Sequence, residues 1–307
     1  MTRTVTYTCQ SERSGEFQMP VEPQRLLDLR LPEHDCEWAQ KDCQLYALAT
    51  GFGQDPVDER ELRYVLEGPG FAVSPTAAIT LYYDDRWMRE SGVDLAMSLH
   101  GEQRNIFHRP IPPDARGRVS SRITGIYDKG PGRGLLVVCE QELRDAGTGE
   151  LIATNIITNF ARADGGIGFS SGPTPTPHAL PARAPDVVVE GRTRPEQALT
   201  YRLCGDRNPL HADPATARRA GFTRPILHGM CTYGFAARAI LQTACGYDAA
   251  RLKTLGARIS SPVYPGDVLR TELWIDGAVV SYRTIVPDRD NVVVLNNGRA
   301  DVAAAGG

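Results

Sequence analysis

The sequence predicts an α+β chain made of two copies of one module, in each of which an antiparallel sheet wraps a helix. Three observations predict it. One order of signals occurs twice along 307 residues: a helical run stopped by glycine, a Gly-Phe turn, a proline corner and then strands. In both halves the proline corner is followed by runs alternating apolar and polar residues, the period of a half-buried strand. A stretch of small and apolar residues after His228-Gly229 extends over several helical turns, as a helix enclosed by a sheet must.

In the first half, a helical pattern begins near Glu37 and ends at Tyr46-Ala-Leu-Ala-Thr-Gly-Phe-Gly-Gln-Asp-Pro; its counterpart begins near Pro195 and ends at Tyr201-Arg-Leu-Cys-Gly-Asp-Arg-Asn-Pro. Gly70-Phe71-Ala-Val-Ser-Pro75 corresponds to Gly221-Phe222-Thr-Arg-Pro225, and Arg109-Pro-Ile-Pro112 to Ser261-Pro-Val-Tyr-Pro265. Strands are expected over 118–126, 134–143 and 151–160, and again over 268–275, 279–286 and 292–300. Each half thus reads as one long buried helix followed by antiparallel strands, and two such sheets can pack side by side into one. Residues 169–186, rich in proline and small residues without helical or strand period, read as an extended linker between residues 1–168 and residues 187–307.

This length favours two units, each large enough to bury a core. A net charge of -3 with the two signs evenly mixed gives no footprint for nucleic acid or anionic membrane, so a small ligand is expected. There is no run of about 18 apolar residues, no signal-like start and no Ser-Lys-Leu end, which reads as a cytoplasmic, unexported protein. The seven cysteines are odd in number and scattered without a C-x-x-C pair, so reduced thiols are expected. Cys204 and Cys231 fall near the chemistry described next, but neither has a matched histidine pattern of its own. No His/Cys/carboxylate cluster has metal spacing, and Gly130-Pro-Gly132-Arg-Gly134 does not open a helix after a strand, so neither a metal nor a nucleotide cofactor is expected. His34, His108 and His178 read as incidental.

The chemistry concentrates in residues 201–232. Asp206, Asn208 and Asp213 beside prolines are also ordinary turn formers, and His211 could equally be a loop residue. Three features favour a site. Asp206 and His211, five residues apart on one short loop with Asn208 between them, can converge on one water, one accepting a proton while the other orients or returns it. Gly229 opens a helix, where unpaired N–H groups can donate to a developing oxyanion. The equivalent loop of the first half, Gly51-Phe-Gly-Gln-Asp-Pro, lacks the histidine, as if only one copy kept the chemistry.

Residues 205–232 closely resemble the MaoC-like hydratase signature of the (R)-specific 2-enoyl-CoA hydratase 2 family, which includes the hydratase domain of peroxisomal multifunctional enzymes. Ser260-Ser-Pro-Val-Tyr-Pro-Gly266, Leu99-His100-Gly101-Glu102-Gln103 and Asp128-Lys129-Gly130 extend the resemblance over nearly the whole chain. It implies a double hotdog fold and cofactor-free syn addition of water to an acyl-CoA, giving the (3R)-hydroxyacyl-CoA. It implies that Asp206 and His211 hold and activate the water with Asn208 orienting it, and that the Gly229 N–H polarises the thioester carbonyl. His100, Gly101 and Ile259 would line the acyl-CoA site, and Lys129 would meet the CoA phosphates, with Arg133 adding to an electropositive rim. His228 reads as structural or as a CoA contact. Ile259 stands where a bulkier aromatic is expected and Cys204 where a serine is, which bears on chain length rather than reaction type.

The missing catalytic loop of the first half is expected to leave room for medium, long or bulky acyl chains, of the kind met in fatty acid or steroid-type degradation. An acyl-CoA thioesterase and a silent acyl-CoA-binding subunit are the competing readings, and a homodimer is a weak expectation.

Overall fold

The computed structural model describes residues 21–304, apart from residue 83 and the side chain of residue 96. Cys9 and both chain ends therefore lie outside the described residues, with the targeting expectation that rests on them. The described part of the first half supplies strands β1 (His34–Trp38), β2 (Ser98–Phe107), β3 (Ala115–Asp128), β4 (Leu135–Asp145) and β5 (Leu151–Ala161). The second supplies β6 (Val187–Arg192), β7 (Leu252–Ile259), β8 (Val268–Asp276), β9 (Val279–Val286) and β10 (Val292–Val302).

All ten strands form one antiparallel sheet in the order β1-β3-β4-β5-β2-β7-β10-β9-β8-β6. Read from its outer edge inward, each half runs first, third, fourth, fifth, second strand, so the repeated order of sequence signals is a repeated topology. The two sheets do join into one. The joint is β2 against β7, from Glu102 opposite Arg258 to Ile106 opposite Thr254.

The six strands expected from alternation are β3, β4, β5, β8, β9 and β10. Alternation did not reveal β2 or β7. Inward positions of β2 carry Gln103 and Asn105 in place of apolar residues, and β7 breaks its alternation at Lys253–Thr254, where its register with β10 shifts.

The helical pattern placed near Glu37 starts later, because Glu37 belongs to β1 and the helix α2 spans Gln40–Ala49, after the short helix α1 (Pro23–Leu27). Its counterpart, α5 (Gln197–Tyr201), continues as a 3-10 turn through Cys204. Both runs stop at a glycine with positive φ, Gly51 at 90° and Gly205 at 141°, where a side chain would be strained.

One long buried helix per half is found only in the second half. There α7 (Gly229–Thr243) buries Tyr233, Ala236, Ala237, Ile240 and Leu241 against Leu255, Leu273, Val280, Tyr282 and Leu295 of the sheet. Gly234 lets it cross the end of α2 closely: a Cβ there would lie 2.3 Å from Thr50 Cγ2. In the first half the chain past Pro75 makes only a 3-10 turn, Pro75–Ile79, before the five-residue helix α4 (Arg86–Glu90). The β-branched Thr76, Ile79 and Thr80 disfavour continuing that turn as a long helix.

The halves are also fastened by a buried ion pair. Glu61, on α3 (Glu59–Leu62), meets Arg238 of α7 at 2.6 Å, and its carboxylate also accepts from the Gly53 N–H (3.1 Å) and the Tyr247 hydroxyl (3.2 Å).

Residues 169–186 contain no helix or strand beyond one bridge from Ser170 to Tyr127. They are strapped to the sheet face opposite α7. His178 hydrogen-bonds Ser281 (2.8 Å), the Asn297 amide donates to the His178 carbonyl (2.8 Å), and the Trp274 indole donates to the Arg183 carbonyl (2.8 Å). His178, incidental in the sequence, is thus a packing contact. The six described cysteines are free thiols. Among the described residues no helix is long and apolar enough to cross a membrane.

Candidate active site

The loop between α5 and α6 (Pro214–Arg219) is folded by its own polar side chains. Asp206 Oδ1 accepts from the Asn208 N–H (3.0 Å), and Asn208 Oδ1 accepts from the Leu210 N–H (3.0 Å), capping a 3-10 turn, Pro209–His211. Asp213 caps α6 through the N–H groups of Ala215 and Thr216. Asp213 is therefore spent on the backbone. Asn208 has its carbonyl oxygen engaged and its Nδ2 as the remaining polar group.

This folding carries His211 against the segment that leads into α7. Its Nδ1–H donates to the Ile226 carbonyl at 2.9 Å, which fixes the tautomer and leaves Nε2 as a lone pair. Burial lowers the His211 pKa, while the charge of Asp206 pulls the other way. His228 lies beneath it, with ring centroids 3.8 Å apart and planes at 30°. His228 Nε2–H donates to the Asp206 carbonyl (3.2 Å), and its Nδ1 is buried without a partner. Burial, reinforced by the nearby His211, takes the His228 pKa down to about 2, so this imidazole is neutral. Tyr201 closes the stack, its ring 4.9 Å from His228.

The fold thus brings together Asp206, His211 and His228, whose ligating atoms all lie within 4.8 Å of one another. Sequence spacing gave no hint of such a cluster, because His228 is seventeen residues beyond His211. Three such groups could hold a cation, but two of the four ring nitrogens are already committed to backbone carbonyls. A lone pair beside a carboxylate is equally an acid/base pair for one water.

Gly229 follows His228 directly and opens α7; the His228 carbonyl accepts from the N–H groups of Cys231 (3.0 Å) and Thr232 (3.3 Å), which leaves those of Gly229 and Met230 at the helix end without an intrahelical acceptor. A Cβ on Gly229 would lie 3.1 Å from Ile259 Cδ1, so Ile259 borders this helix end. Ile259 is the last residue of β7, one step past the final Glu102–Arg258 pair, which sets it beside Gly101 and His100 of β2. Gly101 occupies a bulge between His100 and Glu102. Burial lowers the His100 pKa to about 4, against the pull of Gln103 and the Glu102 backbone, and Nε2 of His100 is buried without a partner.

Lys129 sits apart from the acid/base pair. Its ammonium lies 6.0 Å from the centre of the Phe160 ring, and Phe160 is paired with Leu99, the neighbour of His100. Its loop is held by Asp128, whose carboxylate accepts from the N–H groups of Gly130 (2.9 Å), Gly166 (2.7 Å) and Gly168 (2.8 Å). The Arg133 guanidinium turns back onto the Lys129 carbonyl.

Sequence reasoning missed the Ile226 carbonyl and the stacking of His228, neither of which a residue pattern announces. Tyr201 could have been suspected as the last aromatic before the loop.

Comparison with known proteins fits this geometry. Residues 177–297 match the family described as MaoC like domain, and residues 36–163 match the MFE-2 hydratase 2 N-terminal domain. The chain is 39% identical over 284 residues to an enoyl-CoA hydratase of Mycobacterium tuberculosis, covering 91% of this chain and 98% of that one. It is 39% identical over 289 residues to the peroxisomal enoyl-CoA hydratase 2 of Arabidopsis thaliana, covering 88% and 92%. A solved MaoC-like dehydratase from Phytophthora capsici superposes with a TM-score of 0.82 at 31% identity, covering 93% of this chain and 100% of that one. A Mycobacterium tuberculosis protein described as a double hotdog superposes with a TM-score of 0.53 at 16% identity, over 88% of this chain and 93% of that one, and shows the shared fold. With a repeated five-strand topology, one wrapped helix and the Asp206–His211 loop at the end of that helix, the chain belongs to the MaoC-like hydratase 2 family of double hotdog proteins.

Proposed function

We propose that the chain is a hydro-lyase that hydrates trans-2-enoyl-CoA to (3R)-3-hydroxyacyl-CoA and runs the reverse dehydration with the same groups. The observation that carries this reading is the His211 tautomer: with Nδ1–H held by Ile226, Nε2 keeps its lone pair on a ring clustered with the Asp206 carboxylate and stacked on His228, the residue that leads into α7. A water held by Asp206 and His211, and oriented by the Asn208 amide, loses a proton to this pair as its oxygen bonds to C3. The C2=C3 electron pair moves toward the thioester oxygen, where the Gly229 N–H and the helix end stabilise the enolate charge. The pair then returns a proton to C2, so water is added whole and no redox partner or cofactor is consumed. Delivery of both parts from one side is syn addition.

The shortened helical segment of the first half supports medium, long or bulky acyl chains as substrates, in degradation of fatty or steroid-type chains. Lys129 is assigned to the CoA phosphates as a point charge at the rim.

The test uses crotonyl-CoA and a long-chain trans-2-enoyl-CoA, following loss of the conjugated thioester absorbance beside a free-thiol assay and product chirality. The expected result is loss of conjugation without thiol release, a (3R) product and faster turnover of the longer chain. Thiol release would instead make the protein a thioesterase, and no change with either substrate would leave a binding subunit.

A further inference from the structure

The inner faces of the two half-sheets are built from different chemistry. In the second half, the positions that meet α7 include Leu255, Ala257, Val280, Tyr282 and Leu295. In the first half, the inward row on β2, β4 and β5 holds five amides, Gln103, Asn105, Gln141, Asn155 and Asn159, each at most 3% exposed. Register sets them on one face: Asn155 stands opposite both Asn105 and Gln141, Gln103 stands opposite Ile157, and His100 stands opposite Asn159.

One end of this row is satisfied. Asn105 Oδ1 accepts from the Tyr233 hydroxyl (2.9 Å), Asn105 Nδ2 donates to Asn155 Oδ1, and Asn155 Nδ2 donates to the Ala78 carbonyl (3.3 Å). Gln141 Nε2 donates to the Asp84 carbonyl (2.9 Å). At the end beside the candidate active site, satisfaction stops. Both Nδ2 and Oδ1 of Asn159 are buried with no partner, and Oε1 of Gln103 and Nε2 of His100, whose side chains face each other, reach no other group. Burying such atoms unpaired costs stability, which a hydrogen-bonding group that reaches them restores.

The position is set by strand spacing. Ile259, which borders Gly229, His100 and Asn159 lie on three successive strands, β7, β2 and β5, so Asn159 is two spacings, about 10 Å, from Ile259. A medium acyl chain spans that distance. The CoA arm must run outward to where its nucleotide meets water, whereas Asn159 and Gln103 are enclosed at 1% and 2% exposure, so what reaches them is the acyl end. Asn159 offers an NH2 donor with two N–H groups and an acceptor oxygen, and Gln103 offers a further acceptor. A hydroxyl group uses both kinds, which a carbonyl or a methylene does not.

We propose that Asn159, Gln103 and His100 form a subsite for a hydroxyl group carried by the acyl chain well beyond C3, a specificity that rests on the hydratase reading above. Asn159 Nδ2 donates to the hydroxyl oxygen, and the hydroxyl donates to Asn159 Oδ1 or Gln103 Oε1.

The experiment compares kcat/KM for trans-2-decenoyl-CoA and its 9-hydroxy derivative in the unaltered protein and in N159L, which keeps the branched side-chain shape and removes both polar groups, with thermal melting as the fold control. The unaltered protein is expected to prefer the hydroxylated substrate by at least about tenfold, and N159L to erase that preference. The proposal is overturned if the unaltered protein shows no preference. It is equally overturned if N159L slows both substrates in proportion, since the amide would then serve the pantetheine common to both, or if N159L only raises the melting temperature, since the amide would then hold water alone. If neither substrate is hydrated, the hydratase reading fails by itself. Calorimetric binding of the two saturated acyl-CoAs then decides the subsite, tighter binding of the hydroxylated one upholding it and equal affinity sinking it.

Discussion

His211 and His228 lie face to face with ring centroids 3.8 Å apart, each giving one N–H to a backbone carbonyl, Ile226 for one and Asp206 for the other. Two such rings cannot both be charged at that distance, and the repulsion falls on His228, whereas burial is what favours a neutral His211 with a free lone pair. The two bonds tie the loop, at His211 and at Asp206, to the segment that leads into α7. The pair is at once the loop's fastener and the source of its basicity.

The first prediction concerns the acid/base pair. His211→Ala and Asp206→Asn should each lower kcat for enoyl-CoA hydration by at least about 10², the lower range for such a group, with unchanged circular dichroism. Turnover by both variants within a factor of two of the unaltered protein would remove the pair from the chemistry.

Protonation of His211 should abolish the base. Its pKa is lowered from 6.5 by burial, so the acid limb of the kcat/KM profile should fall below pH 6.5. A limb above that value would point to another group.

Stability should follow pH through His228 in the same direction. Its folded pKa, about 2, is below the unfolded value near 6.5, so below pH 6.5 the unfolded chain binds a proton that the folded chain refuses. Unfolding is thereby favoured as pH falls, by about 1.4 kcal/mol per pH unit for one such histidine. Urea midpoints measured from pH 7 to 4.5 should decline, and His228→Phe should decline less steeply.

The end of α7 should tolerate little bulk. In Gly229→Ala the new methyl would meet Ile259 Cδ1 at 3.1 Å, so kcat/KM should drop by about tenfold, and adding Ile259→Val, which removes that carbon, should recover part of the loss. Strict additivity of the two substitutions would show that they do not act through this contact.

Removing one partner of the Glu61–Arg238 pair should be costly, because both side chains are largely buried and Arg238 would be left uncompensated. Glu61→Ala should destabilise the fold by about 3–5 kcal/mol in denaturant titrations. A loss under about 1 kcal/mol would mean that water reaches Arg238 freely.

Much of this was legible in the residues. Strands β3, β4, β5, β8, β9 and β10 alternate because one face meets the core, and α7 is rich in small residues because a sheet wraps it and Thr50 crosses it. The Asp206–His211 loop was legible because its chemistry lies within six consecutive positions. The central strands β2 and β7 were not, since amides replace the apolar period in β2 and Lys253 and Thr254 break it in β7. Nor was the absence of a long helix after Pro75, where Ala77 and Ala78 suit a helix, the β-branched residues around them oppose it, and packing decides. The tautomer of His211 depends on a carbonyl fifteen residues away, and any side chain at 226 would supply it equally well.

The ladder from Glu102–Arg258 to Ile106–Thr254 has one further consequence. Where two separate copies of a module associate about a twofold axis, every substitution is made twice, and a change that opens one pocket damages its mate. Here the two copies share a polypeptide, so each position is free to diverge alone. One copy could lose its central helix and turn its inner wall polar while the other stayed intact. Covalent fusion thus released the chain from its own symmetry.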